Sequence, residues 1–353
     1  MFLVGGAFIY LGIKRRMEPL LLAPIGLGII LANIPGAGLS AYDQGGFLQL
    51  VWDYGIRTEI LPLLIFIGIG AMTDFGPFLG FPYVAFLGAA AQFGIFGTFL
   101  VAFWLLGFPL YDAASVGIIG SADGPTSIYV ATKLNSQYVG AIVMAAYSYI
   151  SMVPIIQRPI MKYLTTRKER LARMPYSPRP ISRTTRILFP LGAILVTALV
   201  APMAVPLVGM LMFGNLLRES GVTERLSDTA QNAMTNLVTL VLGIAVGSTM
   251  TAEAFLLPQT LMIFALGLFA FALGSATGVL LGKLMYYITK GKVNPIIGAC
   301  GVSAFPMSAR VAQQVAQEED FSNHILMQAM GANACGQIAS AMAGGILLML
   351  VLG

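Results

Sequence analysis

Long apolar runs, cut at short intervals by glycine, proline and knots of charge, make up most of this chain. They fall at about 1–13, 19–34, 59–73, 79–107, 113–133 and 138–157, and again at about 187–201, 204–217, 233–250, 255–289, 295–316 and 323–352. Weakly charged runs of this kind predict membrane helices, because lipid offers no partner for an exposed backbone amide. Several fall short of the ~20 residues of a full span. Two of them, 113–133 and 295–316, are interrupted by glycine and proline, which predicts helices that come apart inside the bilayer. The expected fold is an all-α polytopic membrane protein with about 10–12 membrane segments.

Composition sharpens this picture. Of 353 residues, 57% are hydrophobic and only 10% charged, where a soluble domain carries about 25% charged residues. The 40 glycines and 19 prolines suit closely packed and broken helices. A net charge of +5 does not suggest a nucleic-acid partner. Nine of the 20 lysines and arginines lie between Arg158 and Arg186, with Glu169 the one acid among them, and this reads as a cytoplasmic loop. The apolar start leads into Lys14-Arg15-Arg16. A signal peptide would carry its charge first, so the start reads as a short or truncated membrane helix. Cys300 and Cys335 lack C-x-x-C spacing and read as packing residues. His324, the lone histidine, reads as structural or interfacial, with no cluster to form a zinc site.

The two halves share an ordered series of matches. Pro24-Ile-Gly-Leu-Gly with Asn33 matches Pro206-Leu-Val-Gly with Asn215. Gly68-Ile-Gly-Ala-Met-Thr-Asp74 resembles Gly243-Ile-Ala-Val-Gly-Ser-Thr-Met-Thr251, followed by Glu253. Ile118-Ile-Gly120 recurs as Ile296-Ile-Gly298, and Ser121-Ala-Asp-Gly-Pro125 loosely as Ser303-Ala-Phe-Pro306. A nearly constant offset points to a duplicated transporter-type fold. Lys14–Arg16, the 158–186 loop, Arg218, Arg225, Lys283, Lys290 and Lys292 are expected on the cytoplasmic side, and residues 36–57 with Asp43 and Asp53 outside. The repeats are then inverted. Residues 1–160 form the first, 161–186 a basic cytoplasmic linker and 187–353 the second, the count closing if each broken segment re-enters from one side or if one boundary is misplaced.

Candidate chemistry gathers at the breaks. From Ala113 to Tyr138, Asp123 is the only acid, set in Gly117-Ile-Ile-Gly-Ser-Ala-Asp-Gly-Pro-Thr-Ser127. A membrane carboxylate is expensive and usually marks an ion or proton pathway. The second break supplies Asn294, Ser303, Ser308 and Arg310, and the following apolar run supplies Asn333. Tyr147, Ser148 and Tyr149 interrupt the run after Asp123. Carboxylate, amide and hydroxyl oxygens, with backbone carbonyls freed by broken helices, are the donors that Na⁺ prefers. Each has a blander reading: interhelical glue for Asn333, an aromatic belt for Tyr147 or Tyr149, helix capping for the serines, snorkelling for Arg310. Asp74 and Glu253, near segment ends, are expected to be exposed.

These residues closely resemble the membrane β subunit of the sodium-pumping, biotin-dependent decarboxylases of oxaloacetate, methylmalonyl-CoA and glutaconyl-CoA. Gly70-Ala-Met-Thr-Asp-Phe-Gly-Pro77, Ala89-Ala-Ala-Gln-Phe-Gly-Ile-Phe96, Gly117 to Tyr129, Ala145-Ala-Tyr-Ser-Tyr149, Phe213-Gly-Asn-Leu-Leu-Arg-Glu-Ser-Gly221 and Asn294 to Arg310 carry the resemblance. The loop from Ile34 to Arg57 looks shorter than in the oxaloacetate enzymes, which leans toward an acyl-CoA substrate. The resemblance implies a prokaryotic cell membrane protein that decarboxylates carboxybiotin, exports Na⁺ and takes up a proton. It implies a carboxyltransferase subunit, a biotin carrier protein and a small membrane-anchored subunit as partners, in a homo-oligomeric complex. The family's functional positions fall on Asp123, Tyr149, Asn294, Gly298, Ser303 and Arg310, and Asn333 lies in a matching motif. The implied roles are Na⁺ and proton exchange at Asp123, further ligands or proton relay at Tyr149 and Ser303, and coordination completed by Asn294, Asn333 and carbonyls near Gly298. Arg310 would hold the carboxylate of carboxybiotin.

The chain has no P-loop and no Met-Lys-Met biotinylation motif, Met161-Lys162-Tyr163 being the nearest approach. ATP is therefore not the expected driver, and biotin has to arrive on a partner. Two other classes fit parts of the pattern. A secondary sodium/proton or sodium/carboxylate transporter needs no biotin. A passive membrane anchor leaves Asp123 and the paired breaks unexplained.

Overall fold

The computed structural model describes residues 1–15, 18–39, 46–174, 180–255 and 257–353. Arg16 and Asp43, both used to orient the chain, lie outside them. The described residues form helices and connecting turns, with no strand among them. We label the helices that frame the site α1 (Phe2–Arg15), α2 (Pro19–Ala32), α3 (Ile60–Met72), α4 (Pro82–Leu105), α5 (Leu110–Gly117), α6 (Gly124–Lys133), α7 (Val139–Ser151), α8 (Val153–Leu164), α9 (Arg183–Val200), α10 (Val205–Ser220), α11 (Glu224–Ser248), α12 (Pro258–Ile288), α13 (Met307–Glu319) and α14 (Leu326–Leu352). Every expected apolar run is helical over most of its length. Five helices (α4, α9, α11, α12 and α14) are long and apolar enough to cross a membrane singly, or up to seven if each bent pair is one span. One such pair is α7 and α8, bent by 65°. Pro154 occupies the first turn of α8, where proline's missing N–H interrupts the hydrogen-bond ladder.

Helices from the two halves pack reciprocally. α2 lies along α11, and α3 lies along α10. Glycines make both contacts close: a Cβ at Gly28 would strike the carbonyl of Ile244, and one at Gly247 that of Ile25. In the second pair Gly70 meets the carbonyl of Leu211 and Gly214 that of Ile67. The amides singled out as equivalent take equivalent partners. Asn33 donates to the Met250 carbonyl just beyond α11 at 2.9 Å. Asn215 donates to the Thr73 carbonyl just beyond α3 at 2.9 Å. At the centre α4 crosses α12, with Gly94 against Gly274.

Both expected breaks are present. The first runs from α5 through a 3-10 turn, Ile118–Ser121, then Ala122 at φ 51° and extended Asp123, into α6. The second is a 3-10 segment, Pro295–Gly301, then non-helical residues before α13. The two touch directly, the Ser303 amide donating to the Ser121 carbonyl at 3.0 Å. Amide side chains satisfy the freed carbonyls of the second break. Gln157 bonds that of Ala299 at 2.9 Å, and Asn333 that of Val302 at 2.7 Å.

The basic linker is clamped to the second half. Arg170 pairs with Glu319 at 2.7 Å and Arg173 with Asp320 at 2.7 Å, while Arg158 and Lys162 both meet Glu318. Much of its positive charge is therefore answered by acids at the end of α13.

Candidate functional site

Asp123 caps α6, one carboxylate oxygen accepting the Thr126 amide at 3.1 Å. The proline after Gly124 forces this geometry, because proline at the start of a helix suits an N-terminus and cannot continue one from before. The other oxygen accepts the hydroxyls of Ser303, in the second break, and Ser340, on α14, each at 2.9 Å. Asp123 is 5% exposed, Ser303 7% and Ser340 fully buried. Among the described residues no cationic side chain pairs with this carboxylate. A buried anion held only by neutral donors is poorly compensated and favours a bound cation or proton.

Asp123 and Ser303 face a cavity of about 180 Å³ that extends to Glu18 and Met72. Tyr147 also lines it, as do Thr239, Phe305 and Gln337. Tyr147 lies across Gly124, where a Cβ would run into its ring, and its buried hydroxyl has no hydrogen-bond partner. A second cavity of about 490 Å³ lies at the opposite end, lined by Trp52, Gln137, Gly140, Ser248 and Thr249 among others. Ala141 belongs to that cavity and Tyr147 to the first, about 9 Å apart along α7. Between them Ile142, Val143, Ala145 and Ala146 are buried on α7, and Leu242, Ala245 and Val246 on α11.

The other residues expected at the site are placed as follows. Asn333 is fully buried beside the second break. Its Nδ2 bonds Val302, and its Oδ1 has no partner. Ser308 is buried in the first turn of α13 with its hydroxyl unpartnered. Tyr149 turns away from Asp123: its hydroxyl bonds the Phe264 carbonyl, and its ring lies on Gly267 of α12. Gly298 is packed against Gly278, backbone to backbone. Asn294 ties down the linker, its Nδ2 donating to the carbonyls of Arg170 at 2.8 Å and Ala172 at 3.0 Å and its Oδ1 accepting the Ile296 amide at 3.2 Å. Arg310 is exposed on α13, five residues beyond Phe305 at the cavity. Asp123, Ser303 and, one residue removed, Asn333 are thus brought together; Tyr149, Asn294 and Gly298 stand apart from the cavity.

Ser340, Gln337 and Glu18 were not foreseen. A signal existed for two of them. Asn333, Gln337 and Ser340 are spaced four and three apart, which places them on one helix face, a polar stripe in an otherwise apolar run. Asp74 is partly exposed beside Arg186, and Glu253 is exposed, as expected of segment ends.

Comparison with known proteins matches the chain to a family. Residues 1–351 match the family model described as Na⁺-transporting oxaloacetate decarboxylase beta subunit. The chain is 52% identical to the methylmalonyl-CoA decarboxylase subunit beta of Veillonella parvula, over 99% of this chain and 92% of that one. It is 50% identical to the glutaconyl-CoA decarboxylase subunit beta of Acidaminococcus fermentans, over 99% and 92%. It is 47% identical to the oxaloacetate decarboxylase beta chain of Klebsiella pneumoniae, over 100% and 94%. A buried carboxylate at the meeting of two broken helices, in an apolar all-helical chain with matches this extensive, thus makes the protein a member of the family of β subunits of Na⁺-transporting decarboxylases.

Proposed function

We propose that this chain decarboxylates carboxybiotin presented by a carrier protein and couples that reaction to Na⁺ export with proton uptake. The observation that carries the reading is the Asp123 carboxylate, buried where the two breaks meet and open to a cavity that no cationic side chain lines among the described residues. Such a seat accepts Na⁺ or a proton, one replacing the other. Ser340 suits the exchange. Its hydroxyl reaches both the Asp123 carboxylate at 2.9 Å and the Gln337 carbonyl at 3.0 Å. Having one hydrogen, it can turn that hydrogen to Gln337 and offer a lone pair to Na⁺. Ser303 and the unpartnered Asn333 Oδ1 supply further oxygens.

Moving one Na⁺ against ~100 mV costs about 2.3 kcal/mol before any concentration gradient, and loss of CO₂ from carboxybiotin supplies the drive. Removing that CO₂ leaves a nitrogen that takes a proton, and Asp123 is placed to release one as Na⁺ replaces it. Carboxybiotin is itself an anion, so its carboxylate suits the exposed Arg310 on α13 and not the acid-lined cavity. The two cavities, separated by the buried stretch of α7 and α11, are the two ends of an alternating-access path. The Glu18 end faces the cytoplasm in this reading, with the 161–186 linker. The reciprocal packing of α2 on α11 and α3 on α10 supports inverted repeats at 1–160 and 187–353. Partners are a carboxyltransferase subunit, the biotin carrier and a small membrane-anchored subunit.

An acyl-CoA substrate for the complex is supported by alignment length. The match to the Veillonella chain extends over 351 residues and that to the Klebsiella chain over 410, so the latter spans insertions that this chain lacks. The test is reconstitution of the complex in liposomes with ²²Na⁺. Asp123→Asn is expected to abolish Na⁺ uptake and Na⁺-dependent decarboxylation together. Normal coupled transport by this variant would overturn the reading. Na⁺ flux without any biotin carrier would favour a secondary transporter instead.

A further inference from the structure

The cavity in front of Asp123 holds a second carboxylate. Glu18, in the turn between α1 and α2, lines the cavity with Thr239 and Gln337. It is half-buried and held at φ 39°, a left-handed conformation that a side chain disfavours. Among the described residues Glu18 makes no ion pair, and no basic side chain lines the cavity. Two further polar groups there are uncommitted. Gln337, 4% exposed, makes no side-chain hydrogen bond to a described residue, and the buried Tyr147 hydroxyl has no partner. Buried polar groups are ordinarily paired. Here a carboxylate, an amide and a phenol are left unpaired around one space leading to Asp123, an oxygen-only set suited to a hard cation.

We infer that Glu18 and Gln337 form an outer cation station at the cavity mouth, from which Na⁺ is handed inward to Asp123. This rests on the reading of Asp123 as the Na⁺ seat and adds the device that loads it. The charge at the mouth raises the local Na⁺ concentration in front of the inner carboxylate. It also repels the anionic carboxybiotin, so one cavity serves one substrate. The ion keeps its charge throughout, and the step is a transfer between oxygen ligands.

The test is the Na⁺ dependence of decarboxylation by the assembled complex. Glu18→Gln is expected to raise the KM for Na⁺ about tenfold at low ionic strength, with the change in KM and not in kcat, and the effect should shrink when choline chloride screens the mouth. Glu18→Asp keeps the charge and tolerates the left-handed backbone, so it is expected to restore most of the loss. Glu224→Gln, an exposed acid away from the cavity, serves as the control and is expected to leave KM unchanged. An unchanged KM in Glu18→Gln, or an equal rise in Glu224→Gln, overturns the proposal. If Glu18→Gln does not assemble, Gln337→Ala approaches the same station from α14 and is expected to raise KM about threefold; no rise there overturns it as well. The two readings fail differently. Na⁺-dependent turnover by Asp123→Asn removes the inner seat, whereas an inactive Asp123→Asn beside an unaffected Glu18→Gln removes only the outer station.

Discussion

Ser303 donates its hydroxyl to Asp123 at 2.9 Å across 180 residues of sequence, and so one side chain from each half of the chain builds the seat. Ser340 donates to the same oxygen. Ser303→Ala and Ser340→Ala each remove a donor to the carboxylate and, in the proposed function, an oxygen for Na⁺. Each is expected to weaken Na⁺ about tenfold, in line with a hydrogen bond to a charged group at ~1.5 kcal/mol. Because both act on one oxygen, the double variant should not equal the sum of the singles. Na⁺ titration of the three variants checks this.

Tyr147 and Tyr149 should separate cleanly. Tyr149→Phe removes the hydroxyl that bonds the Phe264 carbonyl in the contact between α7 and α12. It is expected to cost about 1 kcal/mol of stability, read as a lower Tm of the purified protein. Tyr147→Phe removes a hydroxyl that bonds nothing and should leave Tm alone while shifting the Na⁺ dependence. The reverse pattern would move the functional tyrosine back to Tyr149.

Gly124 has Tyr147 directly over its Cα. Gly124→Ala pushes the ring aside or breaks the start of α6, a kind of overpacking that costs about 1–3 kcal/mol. Na⁺-dependent turnover is expected to be lost even where the complex assembles. Retained turnover in that variant would mean that the tyrosine has no part in the cavity.

The linker clamp makes a separate prediction. Asn294 and Asn323 both bond the carbonyls of Arg170 and Ala172, so Asn294→Ala should expose the bonds after Arg170 and Arg173 to trypsin. Nearby Glu169 is buried, which opposes its charge. The Thr166 amide, the Tyr287 hydroxyl and the Lys283 ammonium outweigh that and hold it below the usual carboxylate range. A lowered carboxylate contributes stability above its unfolded value and loses it only as pH falls through the lower folded one. Protection of the linker should therefore be unchanged from pH about 7.5 down to about 5, measured with a protease active over that range. A clamp released within that window would contradict the assigned contacts.

Legibility in the sequence followed the range of the interaction. The helical runs and the two breaks were readable because hydrophobicity and the missing proline N–H act locally. Asp123 was readable because a lone acid in an apolar stretch stands out whatever surrounds it. Asn294 and Tyr149 were readable only as unusual residues. Their partners, the Arg170 and Phe264 carbonyls, lie 124 and 115 residues away, and spacing along one segment carries no record of that.

The sequence by itself determined an apolar, all-helical chain with a carboxylate set in a broken helix, since each of these follows from composition and near-neighbour chemistry. Only the tertiary structure decided which side chains meet that carboxylate. Ser303, Tyr147, Gln337 and Glu18 come to its cavity and Ser340 to the carboxylate itself, from four separate stretches of chain. Close glycine-mediated packing sets those stretches side by side, and such packing depends on both partners at once.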